Sequence, residues 1–161
     1  MRRRTPFDLH YRVVPCTVAE VLTFHSVRKE LVPAVPGQLI HPYAIFGFKD
    51  AGPAFTLGAA GNFQAKWNNT AKTPVTTVTT AGFLDVATAT STVSGFGGSS
   101  TVSGNESNAA DTAGKSIVSG TNGNVDYAGV GSPIVLVILY RLIPVTGFRV
   151  AALTDTGTGP R

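Results

Sequence analysis

The chain has 161 residues, of which 14% are charged and 43% hydrophobic, with a formal net charge of +4. That length holds one hydrophobic core, so one domain is the default. A charged fraction well below the about 25% of ordinary soluble domains points to a surface partly covered by neighbouring subunits, although a compact domain rich in Thr, Ser and Gly has the same composition. The single cysteine, Cys16, excludes an intrachain disulfide and a thiolate metal site, in keeping with assembly in a reducing cytoplasm.

Residues 1–12 read as an N-terminal arm, with Arg2, Arg3 and Arg4 followed by Pro6, Phe7, Leu9 and Tyr11 as apolar anchors. A short cationic run can touch phosphates, seat on an acidic protein surface or stay solvated. The other cations are scattered, which argues against nucleic acid as the main partner. Asp8, His10 and Arg12 interrupt any apolar run, so a signal peptide is not expected. Thr17-Val18-Ala19-Glu20 then has capping-box spacing and predicts one or two helical turns, with Val18, Val21 and Leu22 on one face and Phe24 seating it on a sheet.

Val27 to Val32 is expected as a strand, closed by a corner at Pro33-Ala34-Val35-Pro36-Gly37, because two prolines and a glycine cannot continue a central ladder. Leu39 to Phe48 resumes as a strand apolar on both faces. Leu39, His41, Tyr43 and Ile45 are expected on one side, and Ile40, Pro42, Ala44, Phe46 and Phe48 on the other. Asn62 to Trp67 alternates cleanly, with Phe63, Ala65 and Trp67 inward.

Residues 73–80 are β-branched and strand-like, 81–85 read as a turn or a brief helical excursion, and Val86 to Val93 predicts another strand. From 94 to 124 the chain is rich in Gly, Ser, Asn and Thr and reads as a long surface loop, with or without a small hairpin inside it. Residues 134–145 are the strongest strand, with Ile134, Leu136, Ile138, Tyr140 and Leu142 on one face and Val135, Val137, Leu139, Arg141 and Ile143 on the other. Antiparallel sheets usually show one polar face; here both require cover, from a subunit interface or from a flanking segment. The apolar run is too short to cross a bilayer, so no membrane partner is expected. Residues 146–161 read as a C-terminal arm, with Phe148, Val150 and Leu153 as anchors.

Reactive constellations are sparse. His10, His25 and His41 lack metal spacing, and the nine acidic residues are dispersed. Gly95-Phe96-Gly97-Gly98 lacks the Lys-Ser/Thr and helix of a phosphate loop. Lys66-Trp67 could stack a base, but Trp67 falls in register with the inward Phe63 and Ala65. No enzymatic activity, cofactor or metal is expected.

Strands at regular intervals, Gly-rich turns and the lack of a long helix predict an all-β sandwich, with a jelly roll as its natural topology. Glu20-Val21-Leu22, Glu30-Leu31-Val32-Pro33-Ala34 and Pro36-Gly37-Gln38-Leu39-Ile40 give a short helix, a corner and a strand in an order that resembles the small jelly-roll decoration (cement) proteins of tailed-bacteriophage heads. Pro133-Ile134-Val135-Leu136 and Tyr140-Arg141-Leu142-Ile143-Pro144 are similar to the end of the same proteins. The likeness covers residues 17–70 and 130–145, leaving the triple-Arg arm and the tail outside it.

The resemblance implies a jelly-roll domain over 13–145, located on the outer capsid surface of a virion and made in the host cytoplasm. It implies a homotrimer, with a dimer as runner-up, that bridges subunits of the major capsid protein. Arg2, Arg3, Arg4, Phe7, Tyr11, Phe148 and Leu153 are the candidate capsid contacts. Val135, Val137, Leu139, Tyr43 and Ile45 are the candidate contacts between copies. The alternatives are a spike- or fibre-associated jelly roll that binds host glycan or receptor through 94–124, and a nucleic-acid binder acting through the arginine arm.

Overall fold

The computed structural model describes residues 9–69, 74–95 and 114–144. Its longest apolar strand, β8 (Ile134–Pro144), pairs antiparallel on both sides, with β1 (Leu9–Cys16) and with β3 (Gln38–Lys49). β6 (Thr90–Gly95) adds to the far side of β3, so the first sheet runs β1-β8-β3-β6. The second sheet is built from β2 (Glu30–Val32), β7 (Ile117–Thr121), β4 (Phe63–Trp67) and β5 (Pro74–Val78), in that spatial order. All pairings are antiparallel, and the protein is an all-β sandwich of two four-stranded sheets.

The core lies between the sheets. Period-two alternation turns Val14, Cys16, Ile40, Ile45, Leu136 and Ile138 inward from the first sheet and Leu31, Phe63, Ala65, Trp67 and Ile117 inward from the second. The connections add Phe24, Phe55, Phe83, Leu84 and Tyr127. Phe83 reaches β3 because Gly47 has no side chain; a Cβ there would sit 2.7 Å from its ring. One flank is closed by hydroxyls, with Ser94 Oγ donating to the Thr77 carbonyl at 2.9 Å and lying 3.2 Å from Thr76 Oγ1.

The helix α1 (Val18–Leu22) starts where the capping-box spacing places it. The Thr17 amide donates to Glu20 Oε2 at 2.8 Å and the Glu20 amide donates to Thr17 Oγ1 at 3.3 Å. Val21, fully buried, plugs the sandwich. Among the described residues no helix is long and apolar enough to cross a membrane.

Four expectations need correction. Residues 9–12 are not an arm but the start of β1, from Leu9 opposite Arg141 to Arg12 opposite Ile138; β8 needs a backbone partner on that side, and residues 1–8 lie outside the described part. The expected strand 27–32 shrinks to Glu30–Val32, because the Val27 and Arg28 amides bond the Thr23 carbonyl and Arg28 has φ +56°. The strand expected at 86–93 begins only at Thr90, since the carbonyls of Val86 and Ala87 are taken by Lys49 Nζ and the Gly52 amide.

The fourth correction concerns 94–124, read as surface loop, which contains β7 in the middle of the second sheet. Its polar residues are buried yet bonded: Ser119 Oγ donates to the Phe24 carbonyl at 3.1 Å and accepts from the Lys29 amide at 2.7 Å. Thr121 Oγ1 donates to the Val125 carbonyl at 2.7 Å. Residues 96–113 lie outside the described part.

Thr17→Ala removes the cap and is expected to cost about 1 kcal/mol of stability, read from urea unfolding. The Glu20 carboxyl is held below its ordinary 4.5, first by the Lys29 ammonium and then by the Thr17 amide. Its contribution is therefore full above 4.5 and lost as pH falls through the lower folded value. The stability gap between the parent and Glu20→Gln should narrow in acid; a gap independent of pH would contradict the assignment.

Candidate functional site

Outward residues of the first sheet line up across its four strands. One row runs Val13, Val137, Phe46 and Val93. The row on one side is Tyr11, Leu139, Ala44 and Gly95, and that on the other is Pro15, Val135, Phe48 and Ser91. Nearly every position is apolar, on the side of the sheet that has no second layer in the described structure. Exposure reaches 72% at Tyr11, 53% at Val13, 48% at Phe48 and 61% at Val93, values unusual for a contiguous patch on a free monomer.

The polar end of the face lies beyond Tyr11, where Leu9, Arg141 and His41 are in register. The Arg141 guanidinium carbon lies 4.7 Å from the centroid of the Tyr43 ring, and His41 meets the same ring edge-on at 5.2 Å. A cation over an aromatic face is worth roughly 0.5–1 kcal/mol at an exposed site. Arg141 Nε is buried without a hydrogen-bond partner.

A bulge in β3 decides which residues share this face. Pairing with β8 shifts register between Pro42 and Ala44, leaving Tyr43 as the extra residue. His41 is exposed before the bulge, where Leu39 packs against the core, whereas Ala44, Phe46 and Phe48 lie on the outer face after it. Ile45, expected with Tyr43 at the surface, is consequently turned inward opposite Ile138 and is fully buried. Pro42 sits at the shift, where its missing N–H costs the ladder least.

The structure thus brings together Val135, Val137, Leu139, Tyr43 and Tyr11, and removes Ile45 to the core. Tyr11 belongs to the sheet face rather than to an arm. Arg2, Arg3, Arg4, Phe7, Phe148 and Leu153 lie outside the described residues. Val13, Phe46, Phe48 and Val93 join the face without having been singled out, and Leu9, expected as an arm anchor, stands at its polar end opposite Arg141. Their period-two spacing is visible in the sequence, but which strands lie side by side is not.

Elsewhere Glu20, Glu30, Lys49 and Lys66 are engaged by the fold, whereas His25 Nδ1, Arg28 Nη1 and the Tyr127 hydroxyl are buried without a hydrogen-bond partner. An open groove of about 320 Å³ beside α1 is lined by Glu20, Thr23, Val27, Arg28, Lys29 and Glu30. Its carboxylates are paired, Glu20 with Lys29 and Glu30 with Arg12, the latter at 3.6 Å. Lys49 and Lys66 are buried with Nζ on carbonyls, of Val86 and Thr121 respectively. Burial, and secondly the Arg28 charge, lowers the Lys66 pKa. His10 stacks on Tyr140 with ring centroids 5.5 Å apart. Among the described residues no cluster of three or more His, Cys, Asp or Glu could hold a metal ion.

No protein-family model matches the chain, and no curated protein matches it.

Burial pushes the Cys16 thiol up to about 12. At about pH 8 roughly one molecule in ten thousand then carries the thiolate. Iodoacetamide should leave the folded protein unmodified by intact-mass analysis and alkylate it promptly in denaturant. Prompt alkylation of the folded protein would contradict the placement of Cys16.

Proposed function

We propose that this chain is a virion structural protein, a jelly-roll subunit that binds the outside of a bacteriophage capsid and stabilises it by bridging coat-protein subunits. The observation that carries the proposal is the apolar outer face of the first sheet. A protein released to work alone in water gains nothing from that surface, whereas a subunit of an assembly buries it. The strand orders β1-β8-β3-β6 and β2-β7-β4-β5 support the jelly-roll topology, being what two interleaved Greek keys produce from eight strands. The resemblance to capsid decoration proteins rests on segments that fall on α1, on the corner after β2 and on β8.

In this proposal the protein is a homo-oligomer, a trimer for preference, made in the host cytoplasm and seated on the outer capsid surface. Its role is mechanical rather than enzymatic. A capsid under internal pressure fails where subunits part, and a bound oligomer adds its binding free energy to that separation. Contacts on one rigid oligomer act together, because the first raises the effective concentration of the rest. Arg2, Arg3 and Arg4 would steer the oligomer to an acidic shell, with Phe7, Phe148 and Leu153 as apolar anchors.

Particles carrying the protein should release their genome at a higher temperature than particles without it, measured by dye access to DNA on heating. Replacing Arg2, Arg3 and Arg4 by Ala should weaken attachment most at low salt, because the lost steering is itself screened as salt rises. Phe7→Ala should weaken attachment at every salt concentration. Equal release temperatures at full occupancy would reject a stabilising role.

A further inference from the structure

We infer that the outer face of the first sheet is covered by a second copy of this chain, an inference that rests on the assembly role proposed above and names the occupant of its central surface. Three properties of the face select a copy of itself. The first is size. Four strands at about 4.8 Å spacing, with three outward positions on each, span roughly 400 Å² in projection. The typical stable interface takes about 800 Å² from each partner.

The second property is charge. Across the three apolar rows, from Tyr11 to Gly95, Val13 to Val93 and Pro15 to Ser91, no residue carries a charge. Two copies can therefore meet there without burying an unpaired ion or opposing like charges. Arg141 stands beyond the rows and is held over Tyr43, so a twofold axis along the middle row, which makes the pair a dimer rather than the trimer, sets the two guanidinium groups at opposite ends. An acidic or basic partner would find nothing on the rows to pair with.

The third property is that the flank of the sandwich along β6 is already joined to β5 through Ser94, Thr76 and Thr77. The most exposed positions of the rows, Tyr11 and Val13 on β1 and Val93 on β6, stand at the two margins of the face, where an approaching layer would cover them together.

The test is the oligomeric state of the full chain, by sedimentation velocity and native mass spectrometry, for the wild type and for Val13→Glu combined with Val93→Glu. Both side chains are more than half exposed, so the new carboxylates are hydrated in a single subunit and desolvated only between copies. The wild type should be an oligomer at micromolar concentration, and the variant should dissociate at least about 100-fold more readily with an unchanged far-ultraviolet circular dichroism spectrum. Tyr11→Glu alone, at the most exposed position of the face, is the second variant and should act in the same direction.

Val27→Glu and Val130→Glu place the same charge on exposed valines outside this sheet and should leave the oligomer intact. A monomeric wild type, or an oligomer indifferent to both face variants, would overturn the inference. Capsid occupancy, scored separately, keeps the two ideas apart. A monomer that attaches through this face fails the inference alone, and an oligomer that never attaches fails the capsid role alone.

Discussion

The position of β8 between β1 and β3 is the constraint on which the rest of the structure depends. Its backbone is satisfied on both sides, and its side chains are apolar on both faces. The inward set, Ile134, Leu136 and Ile138, is buried and anchors the core. The outward set, Val135, Val137 and Leu139, forms the spine of the exposed face. One strand therefore fixes both what holds the domain together and what the domain offers to its surroundings. A polar outer set would have left an ordinary soluble sandwich with the same core.

The second sheet solves a different problem with different residues. β7 carries Ser119, Gly120 and Thr121 into buried positions, and burial of an unpaired hydroxyl costs about 1–3 kcal/mol. Pairing removes that penalty and ties three parts of the chain together, since Ser119 joins β7 both to the Phe24 carbonyl after α1 and to the Lys29 amide before β2. Gly120 leaves room for the stem of Lys66, whose Cδ and Cε would lie 2.8 Å from a Cβ there. The stem covers the strand while the ammonium reaches the Thr121 carbonyl.

This division of labour suits the assembly role proposed for the protein. The second sheet is locked internally by hydroxyls and the buried stem of Lys66, and is tied to the segment after the capped helix. The other presents a broad apolar surface on a ladder that cannot flex without breaking pairs on both sides of β8. A rigid surface loses little conformational entropy on association, so more of its burial free energy appears as affinity.

The sequence by itself determined the all-β class, the capped start of α1, the corner at Pro33–Gly37, the inward Phe63, Ala65 and Trp67, and the two apolar faces of β8. Each of these is a local pattern, set by side-chain period, a capping pair or a backbone restriction within a few residues. Tertiary structure alone decided that residues 9–12 join a sheet, that β7 is a central strand, and that Ile45 belongs to the core while Phe46 and Phe48 face out. β1 is fixed by its pairing with a strand more than a hundred residues away. β7 is recognisable only once its hydroxyls have found partners. The assignment of Ile45 follows from a one-residue bulge at Tyr43, and because side chains alternate with period two, one inserted residue exchanges the faces of everything after it.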